Sequence, residues 1–145
     1  DRLPAVKLPD TAWRGGGTLA TDRIGVYRVV LADDAGEFRN WLRSLLEESS
    51  QFTVVGEAQT GSEAVKLVGS LNPDLVITDV DMPDGDGLEV VRILREQVPE
   101  VRVIIVTAHT GKGYERLARE EGAAAFIPKA KLSLEILSQV LQGEE

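Results

Sequence analysis

Cysteine is absent from the chain. That excludes disulfides, thiolate metal sites and a cysteine nucleophile. Histidine occurs once, at position 109, so a multi-histidine metal cluster within the chain is excluded as well. No apolar run approaches the roughly 20 residues of a membrane span. The start, Asp1-Arg2-Leu3-Pro4, has no apolar signal-peptide core, so the cytoplasm is the expected compartment and no membrane partner is expected. The absence of an initial Met points to processing or to a longer parent chain. Positive charge is in short supply: 16 Lys and Arg face 24 Asp and Glu, a net charge of −8. Affinity for DNA comes largely from phosphate neutralisation, so bare nucleic-acid binding is disfavoured.

What is present is one domain's worth of ordinary globular sequence: 145 residues, 43% hydrophobic and 28% charged. Residues 1–27, with Arg28 just at the edge, differ from the rest. They hold Pro4, Pro9 and the run Gly15-Gly16-Gly17, and sustain no period of 2 or 3.6. They are expected to be an N-terminal extension or linker, and residues 28–145 the folded domain. The triple glycine follows no strand and precedes no GK[ST], so it is not read as a phosphate loop. Trp13 is expected to pack on something, such as another copy of the chain.

From Tyr27 the pattern becomes regular. Apolar runs at Tyr27–Ala32, Phe52–Ala58, Leu75–Thr78, Val101–Val106 and Ala125–Pro128 alternate with helical periodicities. Ser62 is the expected N-cap of the second helix and Gly122 the C-cap of the fourth. Strict alternation predicts an α/β fold, a parallel sheet with helices on both faces. In such sheets ligands bind outside the carboxyl ends of the strands. There stand Asp33-Asp34 after the first strand, Asp79 after the third, Thr107 after the fourth and Lys129 after the fifth. Asp81, Asp84 and Asp86 follow in the loop after the third strand. Clustered carboxylates repel one another unless a cation intervenes, and an all-oxygen set suits a hard divalent ion such as Mg²⁺. A carboxylate beside Mg²⁺ and a lysine is a credible phosphoryl acceptor, with Thr107 able to donate to a phosphoryl oxygen.

These pieces together resemble the receiver (CheY-like) domain of two-component response regulators. The matching motifs are LADD (31–34), PDLVITDVDMPDGDG (73–87), VIIVTAH (103–109) and AAAFIPK (123–129), over roughly four fifths of the chain. FTVVGEAQTGSEAVKL looks most like the NarL/FixJ (LuxR-type) branch. The resemblance implies a flavodoxin-like, doubly wound single domain with strand order 2-1-3-4-5. It also implies that Asp79 accepts a phosphoryl group from a histidine kinase, with Mg²⁺ as cofactor. The metal would be held by Asp34, Asp79 and the backbone carbonyl of Asp81, with Asp33 acting mostly through water. Lys129 would pair with the phosphoryl group. Thr107 and Phe126 would form the switch, and small Ala108 would leave the phosphoryl group room to enter. Family members often form homodimers, and NarL/FixJ types bind DNA through a C-terminal helix-turn-helix domain that this chain does not contain. The implied role is therefore signalling, not catalysis in its own right. One departure is Pro128, since the family more often has Pro just after the lysine.

Each residue also has a plainer reading: Asp33-Asp34 as a helix N-cap pair, Lys129 as a solvated charge, Phe126 as a core aromatic. His109 flanks the site and is given no catalytic role. Two competing functions remain in view. One is a docking module independent of phosphorylation. The other is a haloacid-dehalogenase-like phosphatase, suggested by Asp79-Val80-Asp81. That family sets its DxD near the domain start, whereas here the acidic pair comes first.

Overall fold

The computed structural model describes residues 26–108 and 112–143. The expectations for Trp13, for residues 1–25 and for His109 lie outside the described residues. Five strands and five helices alternate: β1 (Tyr27–Ala32), α1 (Gly36–Glu47), β2 (Phe52–Ala58), α2 (Gly61–Leu71), β3 (Leu75–Asp79), α3 (Gly87–Gln97), β4 (Arg102–Thr107), α4 (Lys112–Glu121), β5 (Ala125–Pro128) and α5 (Leu134–Gly143). All pairings are parallel and the order is β2-β1-β3-β4-β5, the arrangement that the sequence resemblance implied.

The central strands are apolar at nearly every position because both faces of the sheet are covered. Successive side chains alternate between two cores. Val29 and Leu31 join Leu75, Ile77, Ile104 and Val106 in one, closed by Leu42 and Leu46 of α1 and Leu137 and Leu141 of α5. Val30, Val76, Val103 and Ile105 form the other, with Val68 of α2, Val90, Val91 and Leu94 of α3, and Ala118 of α4. Of the apolar residues at helical spacing, Leu42, Leu46, Ala64, Val68, Leu137 and Leu141 are buried, whereas Phe38 and Leu45 of α1, Val65 and Leu71 of α2, and Leu134, Ile136 and Val140 of α5 are half-buried.

The helix ends correct one sequence expectation, rule out one plainer reading and bear out a third point. Thr60, not Ser62, caps α2: its Oγ1 accepts from Glu63 N–H at 3.0 Å, while Glu63 Oε1 accepts from Gln59 N–H at 2.9 Å. The cap moves upstream because Gly61 is already helical. A Cβ on Gly61 would meet the Gly85 carbonyl oxygen at 2.1 Å, so α2 begins in backbone contact with the loop after β3. Asp33-Asp34 is not a capping pair. The N-cap of α1 is Ala35, without a side-chain bond, and Asp33 Oδ1 instead accepts from Ala35 N–H at 2.8 Å. Gly122 does end α4, at φ +104, donating its N–H to Ala118 O. Strand β5 carries Pro128 at its last position, paired in register with Thr107. A proline is tolerated there because β5 is an edge strand.

Candidate functional site

The carboxyl ends of β1, β3, β4 and β5 meet at one edge of the sheet. Asp33 leaves β1 with its N–H donating to Ala58 O at 3.0 Å, and its own carbonyl accepts from the Arg39 guanidinium at 2.6 Å. Arg39 is itself held by Glu57 on β2, Nε to Oε1 at 2.8 Å, and Arg43 pairs with the same carboxylate. The sheet and the first turn of α1 thus clamp the acidic loop from both sides.

Asp79 ends β3 and Asp33 lies across from it. Both are buried, with residue exposures of 7% and 2%, whereas Asp34 is exposed. Asp33, Asp34 and Asp79 each offer a carboxylate oxygen within 4.8 Å of the others. Burial pushes the Asp79 carboxyl up from its ordinary 3.8 to about 6, and the Asp33 charge adds to the rise. Lys129 and the backbone N–H groups of Asp81 and Val80 oppose it; the Val80 bond to Asp79 Oδ1 is 2.9 Å. The 3₁₀ turn Lys129–Lys131 follows β5 directly and aims Lys129 back at the strand ends. Its Nζ lies 2.8 Å from Asp33 Oδ2 and 3.7 Å from Asp79 Oδ2.

Asp33 Oδ2 is buried and its contact with Lys129 has the distance, but not the alignment, of a hydrogen bond. An all-oxygen trio with one buried, poorly satisfied carboxylate oxygen fits a hard divalent cation such as Mg²⁺. Nitrogen and sulfur ligands play no part in this group.

Of the remaining residues named from the sequence, Thr107 is fully buried at the end of β4 and Ala108 is exposed just beyond it. Phe126 is half-buried and packs into the core shared with α3 and α4. Asp81 has an exposed side chain and stands outside the carboxylate trio; the role implied for it used its backbone carbonyl. Asp84 and Asp86 are exposed too. Asp86 is the N-cap of α3, its Oδ1 accepting from Glu89 N–H at 2.9 Å, and Asp84 O accepts from Ser62 N–H at 3.0 Å. Sequence reasoning missed two participants, both on α1. Arg39 grips the Asp33 carbonyl, and the Phe38 ring lies under Lys129 Nζ, 4.3 Å from its centroid. The helical period places Phe38 on the inward face, but nothing in that period says which strand end the ring meets.

Residues 29–141 match the family described as the response regulator receiver domain. The chain is 37% identical over 119 residues to a protein-glutamate methylesterase/protein-glutamine glutaminase of Pyrococcus abyssi, covering 81% of this chain and 32% of that one. It is 31% identical to the transcriptional regulatory protein DegU of Brevibacillus brevis, covering 80% of this chain and 50% of that one. The chain thus spans half or less of these curated relatives. Among solved structures, the signal receiver domain of the response regulator NarL from Mycobacterium tuberculosis superposes with a TM-score of 0.76 at 34% identity, covering 81% of this chain and 95% of the other. A LuxR-family DNA-binding response regulator from Staphylococcus aureus gives 0.75 at 29%, covering 81% and 98%.

Proposed function

The chain belongs to the response regulator receiver family, and we propose that it accepts a phosphoryl group on Asp79 from a histidine kinase and so switches an output surface. One observation carries the reading: a lysine ammonium stands within 2.8 Å of one buried aspartate and 3.7 Å of another, at strand ends where ligands of parallel sheets bind. A buried carboxylate flanked by a cation is equipped to be a nucleophile and to hold the group it receives.

In this reading an Asp79 carboxylate oxygen attacks the phosphorus. The phosphorus–nitrogen bond of the donor phosphohistidine breaks, and the imidazole nitrogen takes the electron pair. Asp34, Asp79 and the Asp81 backbone carbonyl would hold Mg²⁺, and Asp33 would act through water. When bound, Mg²⁺ offsets negative charge gathering on the transferred oxygens. Lys129 turns from Asp33 toward the phosphoryl oxygens and Thr107 donates a hydrogen bond to one of them. Ala108 keeps the approach open. The phosphoryl group adds roughly −1.5 to −2 charge. That charge biases an existing equilibrium in which Thr107 moves inward and Phe126 follows, reshaping the face of α4, β5 and α5.

The same reading makes the domain a signalling module rather than an enzyme, acting in the cytoplasm. Its output is transcription, through a C-terminal DNA-binding domain outside this chain; the likeness to LuxR-family structures supports that choice. A net charge of −8 does not suit the chain itself to DNA. Residues 28–145 form the receiver, residues 1–27 an extension to it, and a homodimer is one state the switched face would permit.

The test is intact mass after incubation with Mg²⁺ and acetyl phosphate, beside Asp79→Asn and an EDTA control. One base-labile phosphoryl group, lost in both controls, is expected. Uptake by Asp79→Asn at the native rate would overturn the assignment of the acceptor.

A further inference from the structure

A lysine ammonium on four rotatable bonds costs appreciable entropy to hold in one place. Lys129 is nevertheless poised between two carboxylates, nearer to Asp33 than to Asp79. The third group at its head is apolar: the face of the Phe38 ring, 4.3 Å from Nζ to centroid. A ring face attracts a cation through its quadrupole. Phe38 is fixed in its turn. It packs against the core under α1 and α5, and the tilted Trp41 ring lies behind it at 5.5 Å. Its neighbour Arg39 ties the same turn of α1 to the Asp33 carbonyl. Ring, ammonium and Asp33 therefore form one unit, although Phe38 and Lys129 come from opposite ends of the sequence.

We propose that Phe38 is a positioning residue for phosphoryl transfer: its ring face holds the Lys129 ammonium within reach of both Asp33 and Asp79, ready for the incoming phosphoryl oxygens. The proposal rests on the phosphoacceptor reading above. Phe38 does not touch the reacting atoms and acts only through Lys129. The obvious alternative is that Phe38 is simply apolar filler.

Two variants separate these roles. Phe38→Leu keeps apolar bulk and removes the ring face; Phe38→Tyr keeps the face, and at a half-buried position its hydroxyl can reach water. With acetyl phosphate and saturating Mg²⁺, Phe38→Leu should be phosphorylated roughly three- to tenfold more slowly than the native chain, with Phe38→Tyr restoring the rate. In a Lys129→Ala background, Phe38→Leu should cost nothing further. A native rate in Phe38→Leu would overturn the proposal, and so would an equal loss with Lys129 absent. If the native chain took up no phosphoryl group, the phosphoacceptor reading would fail by itself. The ring contact would then be read from the Lys129 ε-methylene proton resonances. An upfield shift that disappears in Phe38→Leu supports the ring's hold on the ammonium, and unshifted native resonances overturn it.

Discussion

Two sets of aspartates lie close together at the same edge of this molecule, and they have different occupations. Asp33 and Asp79 sit at the ends of buried parallel strands, almost wholly removed from water. Asp81, Asp84 and Asp86 follow Asp79 within a few residues, and their side chains are exposed. The loop aspartates serve the backbone: Asp86 caps α3, and Asp84 adopts φ 55° in the turn that meets α2. The strand-end aspartates repel each other and share the Lys129 ammonium. The side chain is the same throughout, so the environment makes the difference. A strand whose two faces are covered delivers its terminal carboxylate into low dielectric, where a charge is costly unless a cation answers it. A loop delivers the same group to water, where its charge costs little.

The comparison is sharpest in chemistry. Asp79→Asn should lose phosphoryl uptake altogether, whereas Asp84→Asn should keep the native rate; intact mass reads both. Uptake lost equally in the two variants would erase the distinction between the sets.

Stability against pH comes next. In the fold Asp79 holds its proton up to about pH 6, in the unfolded chain only to about 3.8. The folded state therefore binds the extra proton between those values, and stability falls as pH rises through that window. Removing the charge should reverse this. Measured by urea unfolding without Mg²⁺, the advantage of Asp79→Asn over the native chain should grow by about 3 kcal/mol between roughly pH 3.5 and pH 7. Asp84→Asn should show no such pH dependence.

Mg²⁺ should supply a similar but smaller gain. At about a hundredfold its dissociation constant it should stabilise the native chain by roughly 2.7 kcal/mol at neutral pH, and Asp79→Asn by clearly less. Thermal unfolding with and without EDTA measures this. The smallest effect belongs to the loop. Asp86→Ala removes the α3 cap and should cost about 1 kcal/mol. Phosphorylation should persist, because the carboxylate trio is left intact.

Much of this was legible in the residues because the apolar runs end where the chemistry begins. Val29 to Ala32 stops at Asp33, Leu75 to Thr78 at Asp79, and Ala125 to Pro128 at Lys129. A run of β-branched residues needs no tertiary information to announce a buried strand, and the rule for parallel sheets then supplies the location of the site. Finer assignments were not legible. Ser62 and Thr60 are equally good caps by composition, and the choice fell to Thr60 because Gly61 is packed against the Gly85 backbone. Taken alone, Asp33-Asp34 before a helix fits a capping pair as well as a site, and the Lys129 ammonium beside Asp33 separates the two.

The alternation of strands and helices, and the side chain that closes each strand, follow from periodicity along the chain and from where it breaks. Which strand ends became neighbours of a helix face depends instead on how the elements pack in space. Phe38 meets Lys129 because α1 and the turn before α5 share one side of the sheet. That proximity arises from crossovers between strands far apart along the chain, and local pattern carries no record of it.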